Sequence, residues 1–167
     1  MPPTLFNQSA NLVENYKGHV ELFDTNDSLW YKPDSLLDWT VSTIVDTEKH
    51  YSTNGAKKKT ITGNSSVFEF RVKKTADFYE SVATPVSTKT ISYWKSLVYA
   101  LPPTLPIITL RGVSESNAAS DEFIVDEFTA SIENIDEPRE EGKGAEEIIV
   151  SGEIISHTSD RRFASAP

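Results

Sequence analysis

Two long segments of alternating apolar and polar residues, joined by a short charged connector, constrain the fold of this chain most. The segments cover residues 123–135 and 145–155, and the connector between them, 136–144, contains Pro, two Gly and mostly charged residues. Small or apolar side chains recur at every second position: Phe128, Ala130 and Ile132 in the first segment, and Ile148, Val150, Gly152 and Ile154 in the second. This period of two is typical of strands that bury one face. The pattern predicts a long antiparallel β-hairpin with an extended charged tip.

A second pair of strand-like segments lies in the first half of the chain. Residues 38–45 are rich in β-branched side chains, and residues 67–72 place Phe68, Phe70 and Val72 on one side and Glu69 and Arg71 on the other. The polar stretch 47–59 between them contains an Asn-Gly pair and three consecutive lysines. We expect a hairpin whose connection is a long loop over residues 47–59, with an irregular return at Gly63.

Shorter signals complete the chain. Strands are expected at 19–23, 29–31 and 107–113, and one or two helical turns at 75–80. Residues 91–101 have helical spacing, and Pro102 and Pro103 stop any helix there. The predicted apolar stripe consists of Ile91, Trp94, Leu97, Val98 and Leu101.

Adjacent hairpins rather than alternating strands and helices exclude a doubly wound parallel sheet. We therefore predict a mainly β protein, an antiparallel β-sandwich or flattened barrel with one flanking α-helix. The length of 167 residues suggests a single domain. We divide it into an N-terminal arm (1–16), a β-sandwich assembly domain (17–158) and a C-terminal tail (159–167).

The composition argues against catalysis. The chain has no cysteine, and its three histidines lie in unrelated segments without a second ligand at metal spacing. Neither a phosphate-binding glycine loop nor a Gly-x-Ser-x-Gly motif occurs. We expect no enzyme activity, no cofactor and no metal site. The apolar runs at 107–110 and 148–150 are too short for a membrane anchor.

The charge is unevenly distributed. The net charge is −9, which disfavours binding to nucleic acid through phosphate. The basic residues Lys57, Lys58 and Lys59 form one run; the acidic tip of the later hairpin carries Glu137, Glu140, Glu141, Glu146 and Glu147. The lysines either form a solvated loop or meet the acidic tip of another copy in a head-to-tail contact, which builds rings or filaments.

The tryptophans allow two interpretations. Trp39 and Trp94 lie inside a predicted strand and a predicted helix, where tryptophan is usually part of the core. Exposed and coplanar, they would instead form the face of a carbohydrate-binding β-sandwich module.

The order of these parts resembles that of the tail tube proteins (major tail proteins) of tailed viruses of bacteria and archaea. The shared order, over residues 15–158, is an arm, a strand pair with an oversized connection, a helix ending in prolines, a strand, and a long final hairpin with a charged tip. The alternative is another virion component, such as a decoration, connector or minor tail protein.

The resemblance implies a structural protein whose copies form hexameric rings that stack into a hollow tube with a β-barrel lumen. It implies that the connection 47–59 and the N-terminal arm bridge successive rings, and that other tail proteins are partners. Genomic DNA would pass through the lumen without specific binding, because an acidic wall repels phosphate over about 8 Å at physiological salt. The protein would be made in the host cytoplasm and reside in the tail of the virion.

Overall fold

Period-two alternation organises the fold into strands. The computed structural model describes residues 13–33, 35–53, 55–79, 87–116, 123–139, 142 and 146–163. Within them, seven strands form one sheet: β1 (Val13–Asp24), β2 (Leu29–Tyr31), β3 (Leu36–Tyr51), β4 (Lys57–Lys73), β5 (Ile107–Ser116), β6 (Phe123–Asp136) and β7 (Glu147–Phe163). The helices in this part of the chain are α1 (Ala76–Tyr79) and α2 (Ile91–Val98).

All neighbouring strands pair antiparallel, in the order β2-β1-β5-β6-β7-β4-β3. Both predicted hairpins, β3–β4 and β6–β7, are confirmed, as is the mainly β antiparallel class. β1 begins at Val13 and β7 continues to Phe163. The division into N-terminal arm, assembly domain and C-terminal tail stays a prediction, and most of the N-terminal arm lies outside the described residues.

The sheet buries one face, which we call the inner face, against the helices. Phe68, Phe70 and Val72 lie on it, as predicted, and α1 and α2 supply Phe78, Ile91 and Trp94. The members from the other strands are Leu22, Ile108, Leu110, Phe128, Ala130, Ile132, Ile148 and Val150. The ring of Trp94 packs edge-on against Phe70 and Phe78, at centroid distances of 6.4 and 5.9 Å. Such pairs add to the stabilisation that burial provides.

The sheet also curves back on itself. Trp39 on the edge strand β3 reaches Gly112 on β5, although three strands separate β3 from β5 in the sheet. A Cβ added to Gly112 would lie 2.2 Å from Cη2 of Trp39, so the indole rests directly on the glycine backbone. Glycine permits this approach because it has no side chain. The inner face is therefore enclosed as in a flattened barrel.

A buried carboxylate fixes the start of α2 against β1. Asp24, only 2% exposed, accepts hydrogen bonds from the backbone of Asn26 (3.0 Å), from the hydroxyl of Thr88 (2.7 Å) and from the hydroxyl of Ser87. Burial alone raises the pKa of Asp24, but these hydrogen bonds outweigh it and hold the pKa below its ordinary value of 3.8. Thr90 then caps the helix by accepting from the backbone of Tyr93 (3.3 Å).

The predicted loop over residues 47–59 is wrong. β3 continues to Tyr51 and β4 starts at Lys57, and these two residues are paired, so the connection is residues 52–56. The break expected at Gly63 is a β-bulge in β4. Gly63 pairs with Asp46 and Ile61 pairs with Thr47, so Thr62 is the extra residue, and pairing continues beyond it. Backbone ladder hydrogen bonds sustain these strands without an apolar pattern.

The predicted helix 91–101 also ends early. α2 stops at Val98, and Tyr99 caps it with its N–H bonded to the carbonyl of Lys95. Thr104 then donates its N–H to the carbonyl of Leu97, which folds the prolines back over the helix end. Leu101, expected in the apolar stripe, is 97% exposed.

Candidate assembly surfaces

The far half of the β3–β4 hairpin separates from the rest of the sheet. β4 pairs with β7 only from Val67 to Lys73, and among the described strands β3 pairs with β4 alone. Residues 42–51 and 57–66 thus form a two-stranded extension, which we call the arm. Ten residues of strand give it a length of roughly 33 Å. Its large apolar side chains are exposed: Ile44, Val45, Tyr51 and Ile61.

The pairing register sorts the arm into two chemically different faces. Lys49 lies opposite Lys59, and Tyr51 lies opposite Lys57. Directly paired residues share a face, as do alternate residues along a strand. This face, continuous with the inner face of the sheet, carries Lys49, Lys57, Lys59, Val45, Ile61 and Tyr51. Like charges directly opposite one another are unfavourable. No carboxylate is among the residues named on this face, so the arm itself does not neutralise these lysines.

Lys58 points to the other face. It lies opposite His50, and Glu48 on the same face approaches His50 at 3.4 Å between Oε2 and Nε2. The run of three lysines is therefore divided, two on the basic face and one on a mixed face. Strand alternation could have supplied this division, but the sequence had suggested a loop.

Two residues of the acidic tip, Glu137 and Glu146, bond lysines on or near the helices of the same chain. The side chain of Glu137 is 11% exposed and bonds the ammonium of Lys95, with that of Lys74 at 3.4 Å. Lys74 also bonds Glu146 at 2.8 Å, which lowers the pKa of Glu146. Lys74 further lies over the ring of Tyr79, 4.1 Å from its centroid. Lys95 on α2 and Lys74, just before α1, are distant from the tip in sequence, so local patterns could not reveal these contacts.

The remaining tip residues divide between a strand and an undescribed segment. Glu147 starts β7, opposite Lys73, with its carboxylate 3.9 Å from Nε of Arg71. Glu140 and Glu141 lie outside the described residues. Within the described residues, Glu137, Glu146 and Glu147 form their ion pairs with residues other than the lysine run, and a contact between copies stays a prediction.

The outer face of the sheet carries an acidic groove. Its volume is about 440 Å³, and it is lined by Thr40, Ser42, Val67, Phe68, Glu69, Glu133, Asn134, Ser151 and Gly152. Glu133 is the extra residue of a bulge between Ile132 and Asn134. Glu153, paired with Val67, is exposed on the same face. The groove thus combines carboxylates with hydroxyl groups.

Long strand edges remain open among the described strands. β3 has a neighbouring strand on one side only. The pairing between β4 and β7 ends where the arm begins, which leaves one edge of β4 open over 57–66 and one edge of β7 open over 154–163. Open edges present unpaired N–H and C=O groups that accept a further strand. The molecule therefore offers backbone pairing sites in addition to side-chain surfaces.

The carbohydrate-binding interpretation of the tryptophans is wrong. Trp94 is completely buried in the core, and Trp39 is half-buried against Gly112. The two cannot form an exposed coplanar face.

The described part of the chain holds no group of three potential metal-ligating side chains. Its helices are too short to traverse a bilayer.

Comparison with known proteins identifies the fold. No family model and no curated protein matches this sequence. A subunit of the SPP1 tail tube, solved by solid-state NMR and cryo-EM, matches with a TM-score of 0.57 at 10% identity, over 87% of this chain and 77% of that one. A chain from the tail of an empty GTA particle, from helical refinement with C6 symmetry, matches with a TM-score of 0.51 at 10% identity, over 92% and 98%. The tail-tube-like fold expected from the order of elements is confirmed.

Proposed function

We propose that this chain is a structural subunit of a viral tail tube. The observation that carries the proposal is the likeness of almost the whole chain to subunits of two tail structures. The open edges and the projecting arm supply the physical means, because both leave bonding groups and apolar side chains for another copy to cover. The protein would accordingly reside in the tail of the virion, with other tail proteins as partners at the ends of the tube.

Edge pairing accounts for ring formation in this proposal. The outermost strand β3 is sixteen residues long, and an open edge of that length favours aggregation in a monomer. Pairing it with a strand of a neighbouring copy satisfies the ladder, and closing the ring removes the edges altogether. The C6 symmetry of the GTA tail supports six copies per ring.

The arm accounts for stacking. Its two strands leave the neighbouring strand β7, so they can contact a copy in the adjacent ring. The head-to-tail contact of Lys57, Lys58 and Lys59 with the acidic tip belongs to this part of the proposal. The structure leaves these lysines exposed, whereas Glu137 is already engaged by Lys74 and Lys95. Glu146 is the more accessible carboxylate, at 44% exposure.

The outer face of β3, β4, β7 and β6 is proposed to line the lumen. Packed side chains fill the inner face, so the outer face is the one available to a channel. Glu69, Glu133 and Glu153 on that face would repel DNA phosphates and keep the genome from adhering.

Electron microscopy of the purified chain tests the function. We expect hollow tubes of uniform diameter, together with a sedimentation profile dominated by large species. A chain that stays monomeric at high concentration contradicts the proposal, and closed rings that do not stack would indicate a connector-like role.

The lumen assignment has its own test. The triple variant Glu69→Gln, Glu133→Gln, Glu153→Gln should still form tubes, but these should retain more DNA at low salt than wild-type tubes. A control replaces Asp27, an exposed carboxylate between β1 and β2 at the other edge of the sheet, with its amide. Equal DNA retention by all three proteins contradicts the assignment.

A further inference from the structure

A second exposed apolar surface lies just after α2. Tyr99, Leu101 and Leu105 are 80%, 97% and 53% exposed, and Val98 and Ile107 flank them at 40% and 56%. We call residues 98–107 the apolar loop. The concentration of large apolar side chains in ten consecutive residues, with prolines between them, distinguishes it from isolated surface leucines. It marks a surface for interaction with another protein.

The register places the apolar loop on the side of the sheet away from the arm. Ile107 pairs with Ser131, which pairs with Glu153, which in turn pairs with Val67 at the base of the arm. The ladder continues backwards from Ile107, because Ile132 donates its N–H to the carbonyl of Pro106 at 2.8 Å. From that level the arm runs one way and the apolar loop the other. The two surfaces cannot meet within one chain.

We propose that the apolar loop is the acceptor for the arm of the next copy, an inference that rests on the proposed tube. Two complementary surfaces at opposite ends of one molecule form a heterologous contact, which repeats indefinitely along an axis. The basic face of the arm brings Val45, Ile61 and Tyr51 to the apolar loop.

The charges around the two surfaces agree with this pairing. The three lysines of the basic face, Lys49, Lys57 and Lys59, have no carboxylate among the residues directly paired with them. Near the acceptor, Lys95 on α2, one turn before Tyr99, bonds Glu137 of the acidic tip. Two exposed carboxylates lie close to Glu137. Asp136 precedes it in the chain, at the end of β6, and Glu146 bonds the same lysine, Lys74. Lys74, Lys95 and Arg139 lie among these groups, so what the acceptor end offers a further lysine is the exposed carboxylates Asp136 and Glu146 rather than a net negative charge. A second copy of this chain fits both requirements.

Cysteine cross-linking tests the contact directly, because the chain has no cysteine of its own. A disulfide needs Cα atoms within about 7 Å. Tubes of the double variant Ile61→Cys, Leu101→Cys should give a ladder of covalent multimers on non-reducing gels. The control, Lys58→Cys with Leu101→Cys, places the first thiol on the opposite face of the arm and should give several-fold less product. Tubes that yield equal ladders from both variants overturn the proposal.

A substitution in the apolar loop provides a second, independent test. Leu101→Asp changes a fully exposed side chain and should leave the circular dichroism of the unassembled chain unchanged. It should raise the protein concentration needed for assembly about tenfold or more, as expected for loss of a buried leucine contact. Leu29→Asp, at a 56% exposed leucine on β2, is the control and should have a smaller effect.

The outcomes separate the two proposals. A wild-type chain that never assembles refutes the tube and the acceptor together. Wild-type tubes with normal assembly of Leu101→Asp refute the acceptor alone. Normal assembly of Leu101→Asp followed by failure to bind another tail component would assign the apolar loop to that other partner.

Discussion

Replacing Gly112 with alanine tests whether the contact between β3 and β5 holds the sheet closed. The added Cβ would lie 2.2, 2.8 and 3.0 Å from Cη2, Cζ2 and Cζ3 of Trp39. Carbon atoms pack at about 3.5–4.0 Å, so the indole must move by more than 1 Å. Trp39 lies near the base of the arm, and its displacement would also disturb the direction in which the arm projects.

The expected loss of stability follows from two opposing terms. Overpacking of this kind costs about 1–3 kcal/mol. Gly112 does not have a positive φ, so alanine can adopt its backbone conformation, and the reduced entropy of the unfolded chain returns about 0.4–1 kcal/mol. We expect Gly112→Ala to lower the free energy of unfolding by about 1–2 kcal/mol.

A double-mutant cycle isolates the contact. Trp39→Phe removes the distal indole atoms and should cost about 1–2 kcal/mol through lost packing. The double variant Gly112→Ala, Trp39→Phe should be more stable than the sum of the two changes predicts, by about 1 kcal/mol, because the smaller ring makes room for the methyl group. Urea unfolding followed by circular dichroism of the unassembled chain gives all four values. Additive effects, or an unchanged stability of Gly112→Ala, would refute the closure by this contact.

Two further predictions concern charged groups. Asp24→Ala should destabilise the chain by about 2 kcal/mol, because Asp24 accepts several hydrogen bonds while almost fully buried. Since the folded pKa of Asp24 lies below its unfolded value, this stabilisation should be complete above about pH 4 and decline as the pH falls through the folded pKa; a constant difference between wild type and variant from pH 7 to pH 2.5 would contradict this. Lys74→Met should raise the pKa of Glu146 towards its ordinary value of 4.5, since the hydrogen bond from Lys74 is the largest cause of its depression; NMR titration of the Glu146 carboxyl checks the shift, with Lys32→Met as the control, and an unmoved pKa would contradict the pairing.

The inner face of the sheet could be predicted from sequence because burial imposes a pattern. Phe68, Phe70 and Val72 alternate with Glu69 and Arg71, and the structure buries the three apolar side chains. The same holds for the later hairpin, where Ile148 and Val150 are fully buried. Wherever a strand packs against the core, its sequence shows apolar residues at alternate positions.

The arm could not be predicted in the same way. Its residues are exposed on both faces, so no apolar period of two distinguishes strand from loop there. Backbone pairing, as between Lys49 and Lys59, holds these strands, and backbone groups leave no signature in the sequence. The lysine run was recognisable as a charged feature, but its division between two faces required the register.

The early end of α2 has a related cause. Spacing alone placed Leu101 on the helical stripe, yet tertiary hydrogen bonding decided otherwise, with Thr104 bonding back to Leu97. The partners of Glu137, Lys95 on α2 and Lys74 just after β4, could not be predicted either, since they become its neighbours only in the folded chain.

The arm itself gives the strongest physical reason to expect a partner. A two-stranded ribbon with no third strand is marginally stable in water, and this one adds the cost of lysines placed opposite each other. Its exposed Val45, Ile61 and Tyr51 contribute little stabilisation while they face solvent. Covering them on the apolar loop of a neighbouring copy would remove that apolar surface from water, and carboxylates beside the lysines would offset the like-charge repulsion. Amide hydrogens of the arm should therefore exchange much more slowly in tubes than in the unassembled chain, and equal exchange in the two states would show that the arm is stable without a neighbour.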